Sequence, residues 1–91
     1  MIEDQELRDI YKISSEEHLQ NIEARLLELE KNPDSQGALE ILLREAHSLK
    51  GDSRVAEVES VENIVHAMED VFSKIKTMYV IIFRYSVLSK H

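Results

Sequence analysis

Two short segments carry side chains that could cooperate in one reaction: the run from Ala46 to Gly51 (AHSLKG) and the run from His66 to Asp70 (HAMED). A neutral imidazole attacks an electrophile through its bare ring nitrogen, and a carboxylate that accepts a hydrogen bond from the other ring N–H decides which nitrogen is bare. A nearby ammonium group neutralises an anionic electrophile such as a phosphoryl group. We therefore predict that His47 is a nucleophile, that Glu69 orients it and that Lys50 balances the incoming charge.

Two further residues of these segments have positions that suit supporting roles. Gly51 lies four residues after His47, one helical turn away, where the absence of a side chain leaves room for a partner to reach the imidazole. Glycine costs about 1 kcal/mol relative to alanine inside a helix, so this position gives up some helix stability. His66 precedes Glu69 by three positions and should lie beside it as an additional hydrogen-bonding group.

Three helices must position these residues, and the sequence indicates where each begins and ends. Apolar positions at steps of three and four predict a first helix over residues 3–31, which Pro33 terminates. Asp34 or Ser35 is the predicted cap of a second helix that extends to about Arg54. A third helix is predicted to begin between residues 58 and 60 and to extend to about Lys76.

The apolar stripes of the second and third helices predict the core and the position of His47. Because His47 follows Ala46 directly and comes one turn after Leu43, we predict that it lies on the shoulder of the apolar face, half buried and half open. The predicted turn between the second and third helices lies near residue 57. At 1.5 Å per residue, His47 is roughly 15 Å from this turn along one helix and Glu69 roughly 18 Å along the other, so contact between them across an antiparallel pair is feasible. The predicted core residues are Leu39, Leu42, Leu43, Ala46 and Leu49 on the second helix, and Val61, Ile64, Val65, Met68, Val71, Phe72 and Ile75 on the third.

The segment from Thr77 to His91 differs in composition from the rest of the chain. Its run from Tyr79 to Phe83 (YVIIF) is β-branched and aromatic and has no clean period. Because an isolated strand would have no partner strand in a helical domain, we predict a short fourth helix here, beyond a helical core formed by residues 1–76. The segment is apolar on all sides, so one groove of a three-helix core would not cover it, and we predict a homodimer through residues 78–88.

Composition limits the classes of partner and site. The 91 residues suffice for one domain, and 11 Lys and Arg against 18 Asp and Glu give a net charge of −7, which argues against nucleic acid and anionic membranes as partners. The absence of cysteine excludes thiolate metal ligands and agrees with a reducing cytoplasm. The first residues lack the basic and apolar regions of a signal peptide, and the longest apolar run, from Met78 to Phe83, is far too short to span a bilayer. We therefore predict a cytoplasmic all-α domain without a cofactor.

The string from His47 to Gly51 (HSLKG) resembles the signature of histidine phosphotransfer (HPt) domains, and its pairing with His66 and Glu69 is similar to the CheA-type branch of that family. The resemblance covers roughly residues 5–76. It implies an antiparallel helical bundle, four-helix-bundle-like, in which His47 accepts a phosphoryl group, Lys50 and Gly51 flank it, and His66 and Glu69 belong to its hydrogen-bonded network. It also implies a separate ATP-bearing histidine kinase domain as donor and the aspartate of a response-regulator receiver domain as acceptor. The chain would then be the N-terminal domain of a chemotaxis-like or hybrid histidine kinase.

The chain departs from the family pattern in two places. The residues from Asp52 to Arg54 follow the glycine where a second small residue is common, and the segment from Thr77 to His91 does not resemble the polar loop and amphipathic helix that usually come after the third helix.

Two other interpretations stay open on the residues alone. One is a helical protein-interaction module without chemistry, and the other is a metal site formed by His47, His66 and Glu69. We interpret His18 as structural. Since the sequence contains neither a Gly-rich phosphate loop nor an Asp/Asn set for Mg²⁺, we expect the domain to be a phosphoryl acceptor and relay and not an enzyme by itself.

Overall fold

Three α-helices make up the chain in the computed structural model, which describes the backbone of residues 1–89 and the side chains of residues 1–86. They are α1 (Gln5–Lys31), α2 (Gln36–Val55) and α3 (Glu59–Ser89). Short turns join them, so consecutive helices are antiparallel. Over the described residues α1 and α3 each pack against α2, and the backbones of α1 and α3 do not approach one another closely. The predicted all-α fold class is confirmed.

The helix ends follow the capping signals in the sequence. The Asp4 side chain accepts a hydrogen bond from the Leu7 backbone N–H at 3.1 Å, so α1 begins two residues later than predicted. The Ser35 hydroxyl accepts from the Ala38 backbone N–H at 3.2 Å and caps α2, which decides between the two predicted caps. Each cap satisfies a backbone donor that has no partner within its helix.

The turn between α2 and α3 has a left-handed residue at its centre. Glu57 has a φ of 58°, and the Val58 N–H donates to the Ser53 carbonyl at 2.8 Å, closing the end of α2. The Ile2 N–H donates to the Ala56 carbonyl at 2.8 Å, which ties the N-terminus of the chain to this turn. The turn sets the depth at which residues of α2 and α3 face each other.

The core lies along α2. Ile22 of α1 packs against the α2 face, and α3 closes the other side. The Ser53 hydroxyl is fully buried at the end of this face and is hydrogen-bonded to the Tyr11 hydroxyl at 2.8 Å. The buried members of the core cluster are Ile22, Leu39, Leu42, Ala46, Leu49, Val65 and Phe72, with Leu29, Leu43, Val61, Met68, Ile75 and Tyr79 partly buried against them.

The course and rotation of α3 correct two predictions. Residues 77–89 continue α3 without a break, so the predicted separate fourth helix is wrong; positions 90 and 91 of the predicted segment lie outside the described residues. No Gly or Pro interrupts this stretch, and ending a helix would leave backbone carbonyls without partners. Ile64 and Val71, predicted as core, are exposed, because they lie on a flank of α3 that turns away from α2.

None of the helices, over the residues that the structure describes, has an apolar stretch of the length needed to cross a bilayer.

Candidate functional site

Glu69 joins two residues of α2 from its position on α3. Its Oε2 atom lies 3.0 Å from Nδ1 of His47, and its Oε1 atom accepts a hydrogen bond from Nζ of Lys50 at 2.6 Å. His47 and Lys50 are three residues apart on α2, so their side chains leave neighbouring positions of one surface and converge on a single carboxylate. The predicted contact between His47 and Glu69 is present.

The hydrogen bond to Glu69 selects one tautomer of His47. A carboxylate can only accept hydrogen bonds, so Nδ1 of His47 carries the proton that lies between the two groups. In a neutral imidazole the other nitrogen, Nε2, then has a free lone pair. The arrangement therefore orients the ring and leaves one defined nitrogen able to act as a nucleophile.

Glu69 is held in its ionised form. The hydrogen bond from the Lys50 ammonium lowers the pKa of the Glu69 carboxyl below the ordinary value of 4.5; partial burial opposes this change, and the hydrogen bond and charge of His47 add to it. The Glu69 side chain is 17% exposed and that of Lys50 24% exposed, so the ion pair is partly screened from water. At neutral pH the site contains a stable carboxylate that accepts both hydrogen bonds.

His47 is more open than the sequence predicts. Its side chain is 73% exposed, whereas the shoulder position suggested half burial. The difference arises because the core-facing residues of α2 turn toward α1 and α3, and His47 follows Ala46 by one helical step of about 100° that carries it onto the outer surface. The imidazole is positioned by its hydrogen bond to Glu69 and is accessible to a large partner.

Gly51 and His66 have different relations to this site. A Cβ atom placed on Gly51 would meet no atom within 4 Å, so the surface beside His47 is open at that point. His66 is exposed on α3 and makes no hydrogen bond within the described part of the chain. The structure brings His47, Lys50 and Glu69 together and does not bring His66 into contact with them; a role for His66 stays a prediction.

The contact between α1 and α2 contains a second polar group of residues that the sequence did not reveal. Nδ1 of His18 lies 2.6 Å from Oε2 of Glu45, and its Nε2 lies 3.3 Å from Oδ2 of Asp52. The Ser14 hydroxyl donates to the same Asp52 oxygen at 2.7 Å. These side chains connect the two helices, in agreement with a structural role for His18, and they direct Asp52 toward α1. The only sequence signal for this group was that polar residues occur at similar depths on two helices predicted to be antiparallel.

The alternative of a metal site is not supported. Among the described residues, no group of three or more His, Asp or Glu side chains has the arrangement that would hold a metal ion.

The chain is similar to a known protein family. The family model described as "Hpt domain" matches residues 6–79, which include all three members of the site. The chain belongs to the Hpt domain family. It is thus a histidine phosphotransfer module of two-component signalling, and the helical bundle agrees with that membership.

The curated proteins to which the chain is similar include chemotaxis proteins and a sensor histidine kinase. The chain is 34% identical over 68 residues to the chemotaxis protein CheA of Listeria monocytogenes, which covers 75% of this chain and 11% of that protein. It is 34% identical over 61 residues to CheA of Halobacterium salinarum, covering 67% of the chain and 9% of the relative. It is 31% identical over 70 residues to the sensor histidine kinase CheAY of Helicobacter pylori, covering 77% and 9%. These similarities support an Hpt domain of the CheA type.

The chain spans about a tenth of the length of the curated relatives that it matches. No solved structure matches it at a significant level.

Proposed function

We propose that His47 accepts a phosphoryl group through Nε2. The observation that carries the proposal is the position of Glu69, whose carboxylate accepts a hydrogen bond from Nδ1–H of His47 and pairs with Lys50 at the same time. This arrangement supplies an oriented nucleophile, a bare nitrogen and a cation beside it, and it lies on an open surface.

Transfer of the phosphoryl group to His47 forms one bond and breaks one bond. The Nε2 lone pair forms a bond to the γ-phosphorus of ATP held by a kinase domain, and the bond between that phosphorus and the bridging oxygen breaks, so that ADP leaves with the electron pair. The imidazole ring gains positive charge as the N–P bond forms, and the Glu69 carboxylate at Nδ1 stabilises it. The Lys50 ammonium balances the charge of the phosphoryl oxygens. Gly51 leaves room for the donor domain.

The partners that we propose follow from membership of the family. A histidine kinase catalytic domain is the donor, and the aspartate of a response-regulator receiver domain is the acceptor, as expected for a chemotaxis-like system. The chain is then a substrate and relay without catalytic activity of its own, and it functions in the cytoplasm. His66 contributes only in the complex with a partner, since it faces outward from α3.

A labelling experiment tests the acceptor. The full chain is incubated with a CheA-type kinase catalytic domain and [γ-³²P]ATP, and we expect a label that is lost in acid and stable in base, as a phosphoramidate is. His47→Gln should abolish the label, whereas the matched controls His18→Gln and His66→Gln should keep it. Labelling of His47→Gln at the rate of the unmodified chain would rule out His47 as the acceptor.

We also propose that the chain forms a homodimer through residues 78–88. Large apolar side chains of this stretch are exposed in a single copy, and burying one of them fully is worth about 1.5–3 kcal/mol. The described examples are Met78, Val80, Ile81, Ile82, Phe83 and Tyr85.

A further inference from the structure

One flank of α3 has an apolar stripe that no part of the chain described by the structure covers. Four exposed apolar residues recur at steps of seven, and their side chains are 53–74% exposed. A repeat of seven is the period at which one helix packs along another in a left-handed coiled coil. The four residues are Ile64, Val71, Met78 and Tyr85, and the positions between them on the same flank are Ala67, Lys74 and Ile81. We call these seven residues the α3 seam.

The α3 seam is separate from the core and from the phosphotransfer site. The core contacts of α3 end at Tyr79, so the helix continues for at least two turns beyond the last residue that packs on α2. Glu69 occupies the heptad position farthest from the seam, on the opposite side of α3. A helix lying on the α3 seam would therefore leave His47 open to its partners.

We infer that the α3 seam pairs with the same seam of a second copy, in antiparallel orientation, so that the projecting end of each α3 lies along the core of the other molecule. This inference rests on the homodimer proposed above and specifies its geometry. It is independent of the chemistry at His47.

Charge decides between the two possible orientations. We align the two helices antiparallel so that Val71 lies opposite the partner's Ile81. Asp70, which flanks the α3 seam, is then next to the partner's Arg84. Because the dimer is symmetric, this ion pair forms twice. Asp70 and Arg84 are both exposed and have no ion-pair partner within the described part of the single copy. An in-register parallel pair would make neither contact and would place Lys74 against the partner's Lys74, a like-charge contact.

The same register accommodates the rest of the α3 seam. Lys74 lies opposite the partner's Met78, along which its aliphatic part can pack while its ammonium reaches water. Ala67 lies opposite the partner's Tyr85, so a small residue faces a large one. Residues 80–86 of each copy then run along residues 66–72 of the other, and the exposed flank at Val71 becomes covered.

Charge reversal gives a sharp test of this pairing. The full chain is measured by sedimentation equilibrium, and we expect a dimer at micromolar concentration. Asp70→Arg and Arg84→Asp should each weaken dimerisation at least about tenfold, because each places like charges together twice. The double variant Asp70→Arg/Arg84→Asp should restore it to within about threefold. Glu17→Arg on α1, which changes the net charge by the same amount as Asp70→Arg away from the seam, should have little effect.

Spin labels measure the orientation directly, because the chain contains no cysteine of its own. In the inferred register two copies of a label at Ser73→Cys are offset by roughly 9 Å along the helix axis, and two copies at Asn63→Cys by roughly 39 Å, at 1.5 Å per residue. A parallel in-register pair would give no axial offset at either site, so the long distance at Asn63→Cys would be absent.

The outcomes separate the inference from the proposals on which it rests. A dimer whose charge-reversal double variant is not restored, or whose label at Asn63→Cys shows no long axial offset, would overturn the antiparallel pairing and leave the homodimer standing. A monomer at all concentrations, including one that binds lipid vesicles or another protein through this flank, would overturn both. Phosphorylation of His47 is assayed separately and is unaffected by either result.

Discussion

Glu69 is the residue on which the proposed chemistry of this Hpt domain depends. One carboxylate orients His47 through Oε2 and pairs with Lys50 through Oε1, so the charge of the site and the tautomer of the nucleophile have a common origin. Because Glu69 is on α3 and the other two residues are on α2, the site exists only when these helices are packed together.

Replacing Glu69 with glutamine should slow phosphorylation. Glu69→Gln keeps the size of the side chain but removes the charge, and an amide can either donate or accept, so it no longer selects one tautomer of His47. We expect the rate to fall on the order of 10–100-fold with helix content unchanged. The measurement is the initial rate of phosphorylation, with Glu30→Gln, an exposed carboxylate of α1, as control. An unchanged rate together with an unchanged His47 tautomer in ¹⁵N NMR spectra would show that Glu69 is not the orienting group.

The lowered pKa of Glu69 predicts how stability depends on pH. In the unfolded chain the carboxyl has its ordinary pKa near 4.5, and in the folded chain the Lys50 hydrogen bond lowers it, so the unfolded state binds this proton more readily. The stabilisation is present above about pH 4.5 and is lost as the pH falls through the folded-state pKa. Urea unfolding between pH 7 and 3 should show a weaker acid dependence for Glu69→Gln.

Lys50→Met provides the companion measurement. This change removes the hydrogen bond from Lys50, which is the largest cause of the lowered pKa of Glu69. The pKa of Glu69, measured by ¹³C NMR, should therefore rise. A Glu69 pKa that is the same with and without Lys50 would contradict this account.

At the level of secondary structure, α2 presents three functional surfaces. One face forms the core, one flank carries the polar contacts to α1, and the outer surface carries His47 and Gly51. Each surface can be changed by substitutions that leave the other two intact.

Gly51→Ala should separate helix stability from partner access. A Cβ atom there meets nothing within 4 Å, so alanine should raise the free energy of unfolding by up to about 1 kcal/mol. If the bare surface serves docking, the same change should slow phosphoryl transfer between His47 and its partner domains. Gly37→Ala is the matched control, since it also lies in α2 with open space around it but far from His47. Faster or equal transfer in Gly51→Ala would mean that the glycine does not serve access.

The buried hydroxyl of Ser53 should make the contact between α1 and α2 sensitive to the loss of one oxygen atom. Tyr11→Phe removes the 2.8 Å partner of a hydroxyl that is fully buried, and an unsatisfied buried group costs about 1–3 kcal/mol. Ser53→Ala combined with Tyr11→Phe should recover part of that loss. A double-mutant cycle of urea unfolding measures the coupling; additive effects would indicate that the two hydroxyls do not depend on each other.

At the level of the whole molecule, the phosphotransfer site and the exposed end of α3 are separable. A chain that ends after Tyr79 keeps every residue of the core cluster and the whole match to the Hpt domain family. We expect it to unfold cooperatively, to accept phosphate on His47 at the rate of the full chain and to be a monomer by light scattering. Loss of the fold on this truncation would show that the end of α3 completes the core within one copy.

The sequence by itself determined the features that depend on local signals. Ser35, one of the two predicted caps of α2, and a single first helix that ends at Lys31 follow from residue types along the chain, whereas the cap at Asp4 was not predicted. The contact between His47 and Glu69 could be predicted because helix rise is constant and both residues lie at nearly the same distance from one short turn. The residues from His47 to Gly51 also sufficed to indicate the family, because side-chain chemistry at fixed helical spacing needs no tertiary information.

Only the tertiary structure decided which side chains are covered. A period of 3.6 places Val65 and Ile64 on adjoining parts of one apolar face, and the neighbouring helix alone determines that Val65 is buried and Ile64 is not. The same dependence on helix rotation put His47 farther into solvent than its neighbours in sequence suggested, and left His66 exposed on α3. The continuation of α3 past Lys76 was missed because a β-branched and aromatic run has no clear period, and helix geometry prevailed where no strand partner exists.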